Sequence, residues 1–236
     1  MNRAFCTGDC HTQFKKIKQL CYEQKTTLDD YVIILGDVGL NYHCNELDIP
    51  NKKHLAKLPI TLVCIHGNHE ERAWSLNSYK RVYNNELRCY VYMEEEYPNI
   101  LFPEDGIIYL KDKKCLCIGG AYSVDKYYRL MMGYKWFLSE QLTEEEKEKI
   151  LKILEVENSF SYIFTHTVPL KYERELEYLF LPSVDQSAVD KSMEEFLDKV
   201  EDRVTYKHWF FGHYHDTNDL NDKLTILYHD IIELNL

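Results

Sequence analysis

The sequence predicts an α/β domain in which helices cover buried β-sheets. Short runs of consecutive apolar residues alternate along the chain with amphipathic stretches of helical periodicity. The apolar runs are continuous and do not alternate with polar residues, which is typical of strands that are buried on both faces. With 236 residues, of which 45% are hydrophobic, the chain can bury a substantial core. We predict a single domain over residues 1–236, without repeats or linkers.

The first part of the chain contains three predicted strands and one predicted helix. Residues 3–7, 31–35 and 60–65 form short apolar runs, and each run is followed closely by a glycine. Between the first two runs, apolar residues recur at helical spacing, which predicts a helix over residues 12–23.

The second part of the chain alternates strands with two amphipathic helices. The first of these helices is predicted over residues 143–154, with Thr143 as its N-cap and Glu146 in the capping-box position. The second helix is predicted over residues 187–200. The remaining apolar runs predict a hairpin and four strands, which cover residues 107–110, 115–118, 161–164, 207–211, 224–228 and 231–236.

Three segments fit this core poorly. They cover residues 71–106, 120–140 and 167–187. We predict that they are insertions that form caps over one rim of the domain.

Polar clusters follow the apolar runs at five places. Their sequences are "TGDCH", "LGDVG", "HGNHE", "FTH" and "FGHYH". In layered α/β folds, the loops at the carboxyl ends of strands gather at one edge of the sheet. We therefore expect the following side chains to converge: Asp9, His11, Asp37, Asn68, His69, His166, His213 and His215.

This set of side chains favours a metal centre. Its donors are oxygen and imidazole, which suit manganese, iron, zinc, cobalt or nickel. The set contains no thiolate, which argues against a structural zinc site. Two ions about 3.5–4 Å apart can share a bridging carboxylate. Glycine precedes four of the candidate ligands and allows the tight turns that such a rim requires.

The five clusters, in this order, resemble the signature of the calcineurin-like metallophosphoesterase superfamily. That signature reads D-x-H, G-D, G-N-H-[DE], a lone histidine and G-H-x-H, and the resemblance spans residues 8–215. The stretches "GGAYSVDKYYR" and "VDQSAVDKSMEEFL" also resemble a small bacterial and phage-type branch. The resemblance implies a four-layer α/β fold, in which a two-sheet β-sandwich is flanked by helices and carries cap insertions.

The resemblance also implies a role for each residue. Two divalent ions would be bound, with manganese expected first and iron, zinc, nickel or cobalt as alternatives. The implied ligands are Asp9, His11 and His215 for the first ion, Asn68, His166 and His213 for the second, and Asp37 as the bridge. A hydroxide bridging the ions would attack phosphorus in line with the leaving oxygen. His69 would donate a proton to the leaving oxygen or hold a phosphoryl oxygen.

The sequence departs from the family pattern at two places. Thr12 stands where the family often has glycine after the first D-x-H. The second motif reads "GDVGLNY", so Leu40 replaces the second aspartate of the protein serine/threonine phosphatases, and their arginine is missing. A protein phosphatase is therefore disfavoured, and another group must orient His69.

Four further residues are candidates for contact with the substrate. Arg72, Lys126 and Arg129 are basic residues in or near the predicted caps, and arginine suits the recognition of phosphate. His66 immediately precedes "GNHE". The alternative for the three basic residues is a surface charge that balances the neighbouring glutamate runs.

The preferred function is a dinuclear metal-dependent phosphoesterase that acts on phosphate mono- or diesters of a small molecule or nucleotide. A nuclease is an alternative, but the net charge of −11 makes nucleic acid an unlikely partner. A non-catalytic, metal-stabilised binding scaffold is a second alternative. Such a scaffold predicts erosion of the catalytic set, and here the set is complete.

The cysteines and the apolar runs predict a cytoplasmic protein. Eight cysteines, several of them within apolar runs, indicate reduced and buried thiols. The N-terminus lacks the apolar region of a signal peptide. The apolar runs are far shorter than the roughly 18 residues of a membrane span, so we expect no membrane partner.

Overall fold

Strands without an exposed face form the centre of the first sheet. The computed structural model describes residues 1–236. In it, β1 (Ala4–Thr7), β2 (Tyr31–Ile34) and β3 (Thr61–Cys64) are buried along their whole length. Burial on both faces explains why their sequences are continuous apolar runs, as the sequence predicts.

The first sheet has seven strands in the order β13-β1-β2-β3-β6-β5-β4. Its further strands are β4 (Lys80–Asn84), β5 (Cys89–Met93), β6 (Ile100–Pro103) and β13 (Ile231–Leu234). Strands β1, β2, β3 and β6 run parallel, while β13, β5 and β4 pair antiparallel with their neighbours.

The prediction that residues 71–106 form a cap is wrong. Three strands of this segment extend the first sheet, and β6 pairs directly with β3. Val91 and Leu101 lie in the core between the two sheets. The segment escapes recognition because its outer strands are largely exposed, so they lack the continuous apolar runs of the central strands.

The second sheet has six strands in the order β11-β12-β10-β9-β8-β7. These strands are β7 (Gly106–Leu110), β8 (Lys113–Ile118), β9 (Ser159–Thr165), β10 (Thr205–Phe211), β11 (Asn218–Asn221) and β12 (Leu224–Ile226). Strands β8, β9, β10 and β12 run parallel, and β7 and β8 form the predicted antiparallel hairpin.

Five α-helices accompany the sheets. They are α1 (Lys15–Gln24), α2 (Ile49–Leu55), α3 (Lys126–Met132), α4 (Glu144–Leu154) and α5 (Ser192–Glu201). Thr143 caps α4 through the predicted capping box with Glu146. Helix α5 begins later than residue 187, because Gln186–Ala188 forms a separate 3-10 turn whose N-cap is Asp185. No helix has both the length and the apolar character that crossing a membrane requires.

Three apolar clusters define the layers. One lies between the two sheets and includes Ile33, Val63 and Phe164. A second packs α1 and α2 on the outer face of the first sheet. The third packs α4 and α5 on the outer face of the second sheet. The predicted four-layer fold, with a two-sheet sandwich between helices, is confirmed.

Candidate metal centre

Asp9, His11 and His215 form one group of donors at the rim of the sandwich. Asp9 follows β1, and the two histidines lie in the loops after β1 and β10. The Nε2 atoms of His11 and His215 lie 2.9 Å apart. His215 Nε2 is 3.2 Å from Asp9 Oδ2, and His11 Nε2 is 3.7 Å from the same oxygen. Three potential ligand atoms therefore face one another, as around a cation.

Asn68, His166 and His213 form a second group. His166 Nδ1 donates to the Leu35 carbonyl at 2.7 Å, which leaves its Nε2 as an acceptor. This Nε2 lies 2.8 Å from Asn68 Oδ1, and His213 Nδ1 lies 3.1 Å from that oxygen. Two acceptors that face each other at such a distance are typical of ligands to a shared cation. The bond to Leu35 also fixes the tautomer of His166, as partners outside the ligand shell commonly do.

Asp37 lies between the two groups. Its Oδ2 is 3.8 Å from His11 Nε2 and 3.7 Å from His166 Nε2. Its Oδ1 accepts a hydrogen bond from the His69 amide at 2.8 Å. The buried Oδ2 atoms of Asp37 and Asp9 have no hydrogen-bond partner. Because a buried, unpartnered carboxylate oxygen is costly, these atoms fit the donor set of divalent cations.

Electrostatics keep Asp9, Asp37 and His213 in the protonation states that metal ligands need, whereas Asp9 raises the pKa of the neighbouring His215. Burial alone would raise the pKa of Asp9, but His166 and His215 together lower it below its usual value. The pKa of Asp37 is likewise lowered, because His166 and His69 outweigh burial. Burial, with help from His166, lowers the pKa of His213 to about 3. The carboxylates are thus ionised and His213 is neutral near pH 7.

The backbone of the rim is strained. His11, Asp37, His213 and His215 have positive φ angles of 44°, 47°, 67° and 55°. Thr12, at the position where the family often has glycine, also has a positive φ, of 66°. Non-glycine residues in this region cost of order 1–3 kcal/mol each and are concentrated at functional sites.

Two glycines permit the close approach of the ligand loops. A Cβ on Gly36 would lie 2.1 Å from His166 Nδ1, and Gly36 has a φ of 98°. A Cβ on Gly212 would lie 2.3 Å from Asp9 Oδ1. The glycines of the "GD" and "GH" motifs are therefore required because a side chain there would displace a ligand.

His69 lies beside the second group and contacts a cap residue. Its Nε2 is 3.3 Å from Asn68 Nδ2 and 3.4 Å from Arg129 Nη2. The Arg129 guanidinium is held by Asp125, whose two oxygens lie 2.9 and 2.8 Å from Arg129 Nε. Leu40 is fully buried in the apolar cluster on the outer face of the first sheet. Burial, together with the positive charge of Arg129, lowers the pKa of His69. Arg129 therefore contacts His69 without reproducing the negative charge of the aspartate that Leu40 replaces.

Three residues that support the site escape the sequence analysis. Ser123 accepts a hydrogen bond from Asn68 Nδ2 at 2.9 Å, which turns Asn68 Oδ1 toward the imidazoles. Glu70 accepts the amides of Val38 and Gly39 at 3.3 and 3.2 Å and so fixes the loop after Asp37. The third residue is Asp125. The spacing of Asp125 and Arg129, four residues apart on a helix, is the one sequence signal for this pair.

The structure does not bring Arg72 or His66 to the ligand cluster. Arg72 is buried, and its guanidinium binds Asp105 at 2.7 Å and the Ser139 carbonyl at 3.0 Å. His66 is also buried and lies 3.2 Å from the same carbonyl. Both residues line a separate cavity. The structure thus places both residues outside the ligand cluster, where their polar atoms contact the protein itself.

Of the two candidates on α3, Arg129 reaches the site and Lys126 does not. The Lys126 ammonium lies 3.9 Å from the centre of the Trp136 ring. Arg129 shares a surface groove with His11, His43 and His69. An arginine in this groove faces both the ligand cluster and solvent, as a phosphate-binding group would.

Comparison with known proteins agrees with this geometry. The model of the calcineurin-like phosphoesterase family matches residues 3–217. A solved crystal structure is similar in fold, with a TM-score of 0.51 at 11% identity over 95% of this chain and 89% of that one.

A mutant cold-active protein tyrosine phosphatase aligns with a TM-score of 0.34 at 14% identity, over 96% of this chain and 71% of that one. A score this low does not indicate a common fold. A comparison with curated proteins finds no significant match. The family match covers all five motifs and most of the chain. The chain therefore belongs to the calcineurin-like phosphoesterase family, which acts on phosphoric esters.

Proposed function

We propose that this protein hydrolyses phosphate mono- or diesters of small molecules or nucleotides at a centre of two divalent ions. The position of Asp37 Oδ2 carries the proposal, because this free oxygen lies between the two donor groups, 3.8 Å from His11 and 3.7 Å from His166. A carboxylate in this position suits a bridge between two ions.

Each of the two ions would be held by one of the two donor groups. Asp9, His11 and His215 would hold one ion, and Asn68, His166 and His213 the other. When bound, the ions would supply a nucleophile at neutral pH and neutralise charge on the phosphoryl oxygens. Oxygen and imidazole donors suit manganese, iron, zinc, nickel or cobalt, and of these we propose manganese first.

The protein's own residues would complete the reaction. Arg129 would bind a phosphoryl oxygen through Nη2, which lies beside His69, since Asp125 occupies Nε and the Lys135 carbonyl accepts from Nη1. His69, beside Arg129, would donate a proton to the leaving oxygen or hold a phosphoryl oxygen.

Hydrolysis of p-nitrophenyl phosphate and bis(p-nitrophenyl) phosphate tests the proposal. Manganese-loaded wild type should cleave at least one ester, and Asp37→Asn should abolish that activity. His54→Ala is the matched control, because His54 is an exposed histidine on α2 outside the ligand cluster. If no ester in a broad panel is cleaved in a manner that depends on Asp37, the proposal is wrong.

The two alternative functions give different results in simple assays. A nuclease would cleave single-stranded DNA with strong salt dependence, against the net charge of −11. A non-catalytic scaffold would bind metal but cleave none of the esters. Retention of all seven proposed ligands and His69 in one cluster favours the enzyme.

We expect a small phosphorylated molecule as the partner of this site, and we place the protein in the cytoplasm. All eight cysteines are free, which suits a reducing compartment.

A further inference from the structure

A cavity of about 260 Å³ opens beside the metal ligands. One wall is formed by the ligand cluster, including Asp37, Asn68 and His213, together with His69. The opposite wall comes from residues 179–194, between the 3-10 helix Leu170–Leu179 and the first turn of α5. A group in this cavity would therefore be adjacent to an ester held at the metal centre. We call it the side pocket.

Much of the side pocket is apolar. Leu179, Phe180, Val184 and Val189 line its far wall. The rings of Phe180 and Tyr214 are nearly parallel, with an angle of 26° and centroids 6.5 Å apart. The volume lies just below the roughly 300–1,000 Å³ that is typical of small-molecule sites, so it suits a small group. These features suit one flat ring system, because aromatic walls stack on planar groups.

One buried carboxylate in the side pocket has an uncommitted oxygen. Glu194 is 3% exposed, and its Oε1 accepts a hydrogen bond from the Thr167 hydroxyl at 2.8 Å. Its Oε2 is buried and has no partner. The neighbouring Glu173 differs, because its Oε1 binds Lys191 Nζ at 2.6 Å and the Tyr214 hydroxyl at 3.3 Å. Because buried polar atoms are usually hydrogen-bonded, this oxygen suits a donor from a bound molecule.

The side pocket offers no free cationic side chain to an anionic group. Its lining includes Glu173, Glu194 and Asp125, and Lys191 is the single lysine or arginine in the lining. Lys191 is already paired with Glu173, and Asp125 is paired with Arg129. The free oxygen of Glu194 therefore remains as the polar group that a bound N–H donor can reach.

We propose that the side pocket binds the organic part of the ester, and that this part is a planar nucleobase whose ring N–H donates to Glu194 Oε2. The inference rests on the proposed function, since it names the substrate class of the same site. It distinguishes nucleobase-bearing esters from sugar phosphates and simple alkyl phosphates, which offer no flat N–H donor.

Binding of nucleosides to the metal-loaded protein tests the inference independently of hydrolysis, because nucleosides contain no phosphate ester. Titration calorimetry would compare uridine with 3-methyluridine and inosine with 1-methylinosine. In each pair methylation removes the N–H and keeps the ring. At pH 8, above the pKa of about 7 to which burial raises Glu194, at least one parent nucleoside should bind about tenfold more tightly than its methylated partner, since a hydrogen bond to a buried charge is worth roughly this factor.

Variants identify the acceptor. Glu194→Met should remove the preference for the N–H form, and Phe180→Ala should weaken both members of a pair. Glu148→Met is the matched control, because Glu148 is exposed on α4 and outside the side pocket. Absence of nucleoside binding, or a preference that survives in Glu194→Met, would overturn the inference. Cleavage of p-nitrophenyl esters would separately decide the proposed function, so the two failures are distinguishable.

Discussion

At the residue scale, each histidine of the "FGHYH" stretch faces a different donor group. His213 Nδ1 lies 3.1 Å from Asn68 Oδ1, while His215 Nε2 lies 3.2 Å from Asp9 Oδ2. Both residues have positive φ angles, so their rings project from one turn toward the two donor groups. Tyr214 between them faces Thr167 and Glu173 in the side pocket.

This arrangement predicts that His213→Ala and His215→Ala each lose one bound ion. Both variants should lose activity by about a thousandfold, because a metal supplies several kcal/mol of transition-state stabilisation. Elemental analysis would count the ions per chain, and His54→Ala should keep both. Two ions and full turnover in either variant would contradict the ligand assignment.

Glu194 gives a prediction about pH and stability. Burial raises the pKa of Glu194 to about 7 from an ordinary value of 4.5, with Glu173 adding to the rise and Lys191 opposing it. The folded state therefore binds this proton more tightly than the unfolded state, and its contribution to stability falls as pH rises from about 4.5 to 7.

Glu194→Gln should be more stable than wild type above pH 7, by up to about 3 kcal/mol, with the difference shrinking toward pH 5. Urea unfolding of the metal-free proteins at pH 5 and pH 8 would measure it. A stability difference that does not change with pH would contradict the assigned cause.

At the scale of secondary structure, side-chain hydrogen bonds cap the first turn of α4. Thr143 Oγ1 accepts the Glu146 amide at 3.3 Å, and Glu146 Oε2 accepts the Thr143 amide at 2.8 Å. Ile150 and Leu154 then pack on the second sheet. Thr143→Ala should lower the free energy of unfolding by about 1 kcal/mol in urea titrations. Glu148→Ala on the exposed face should change it by less than about 0.5 kcal/mol.

Helix α3 differs from α4 because it buries none of its residues. The helix is linked to the site through Arg129, which contacts His69. Arg129→Ala should lower kcat/KM for p-nitrophenyl phosphate by about ten- to hundredfold and weaken inhibition by inorganic phosphate in parallel.

Arg129→Lys should recover only part of this loss, because lysine lacks the planar fork of arginine. Arg174→Ala, which removes an exposed arginine from the other predicted cap, is the control. Unchanged phosphate inhibition in Arg129→Ala would exclude Arg129 as a phosphate-binding group.

At the scale of the whole molecule, the ligand cluster joins the two sheets. Asp9, Asp37 and Asn68 follow strands of the first sheet, and His166 and His213 follow strands of the second. The hydrogen bond from His166 to the Leu35 carbonyl crosses between them. Ions held by both sheets should therefore stabilise the entire sandwich.

Manganese should raise the thermal midpoint of chelator-treated protein in a concentration-dependent manner. At one hundred times the dissociation constant, the expected gain is about 2.7 kcal/mol. Asp37→Asn should show a smaller gain, since it loses a charged ligand. Equal midpoints with and without manganese would show that the cluster does not bind it.

The apolar runs and the polar clusters that follow them are local features, and they predict the central strands, the layered α/β class and the cluster of ligands. Continuous burial leaves a direct trace in the sequence, because both faces of a strand must be apolar. The capping box of α4 is equally local. In contrast, the strands of residues 71–106 are half exposed, so their membership of the first sheet depends on distant partners.

The order and chemistry of the candidate ligands follow from local sequence, because each lies within a few residues of the strand that positions it. The folded chain is needed to show which basic residues reach the site. Arg72 forms a salt bridge with Asp105, whereas Arg129 extends from α3 to His69. The side pocket with Glu194 also depends on elements far apart in the chain. Such contacts join residues with no common local pattern, so only the folded chain specifies them.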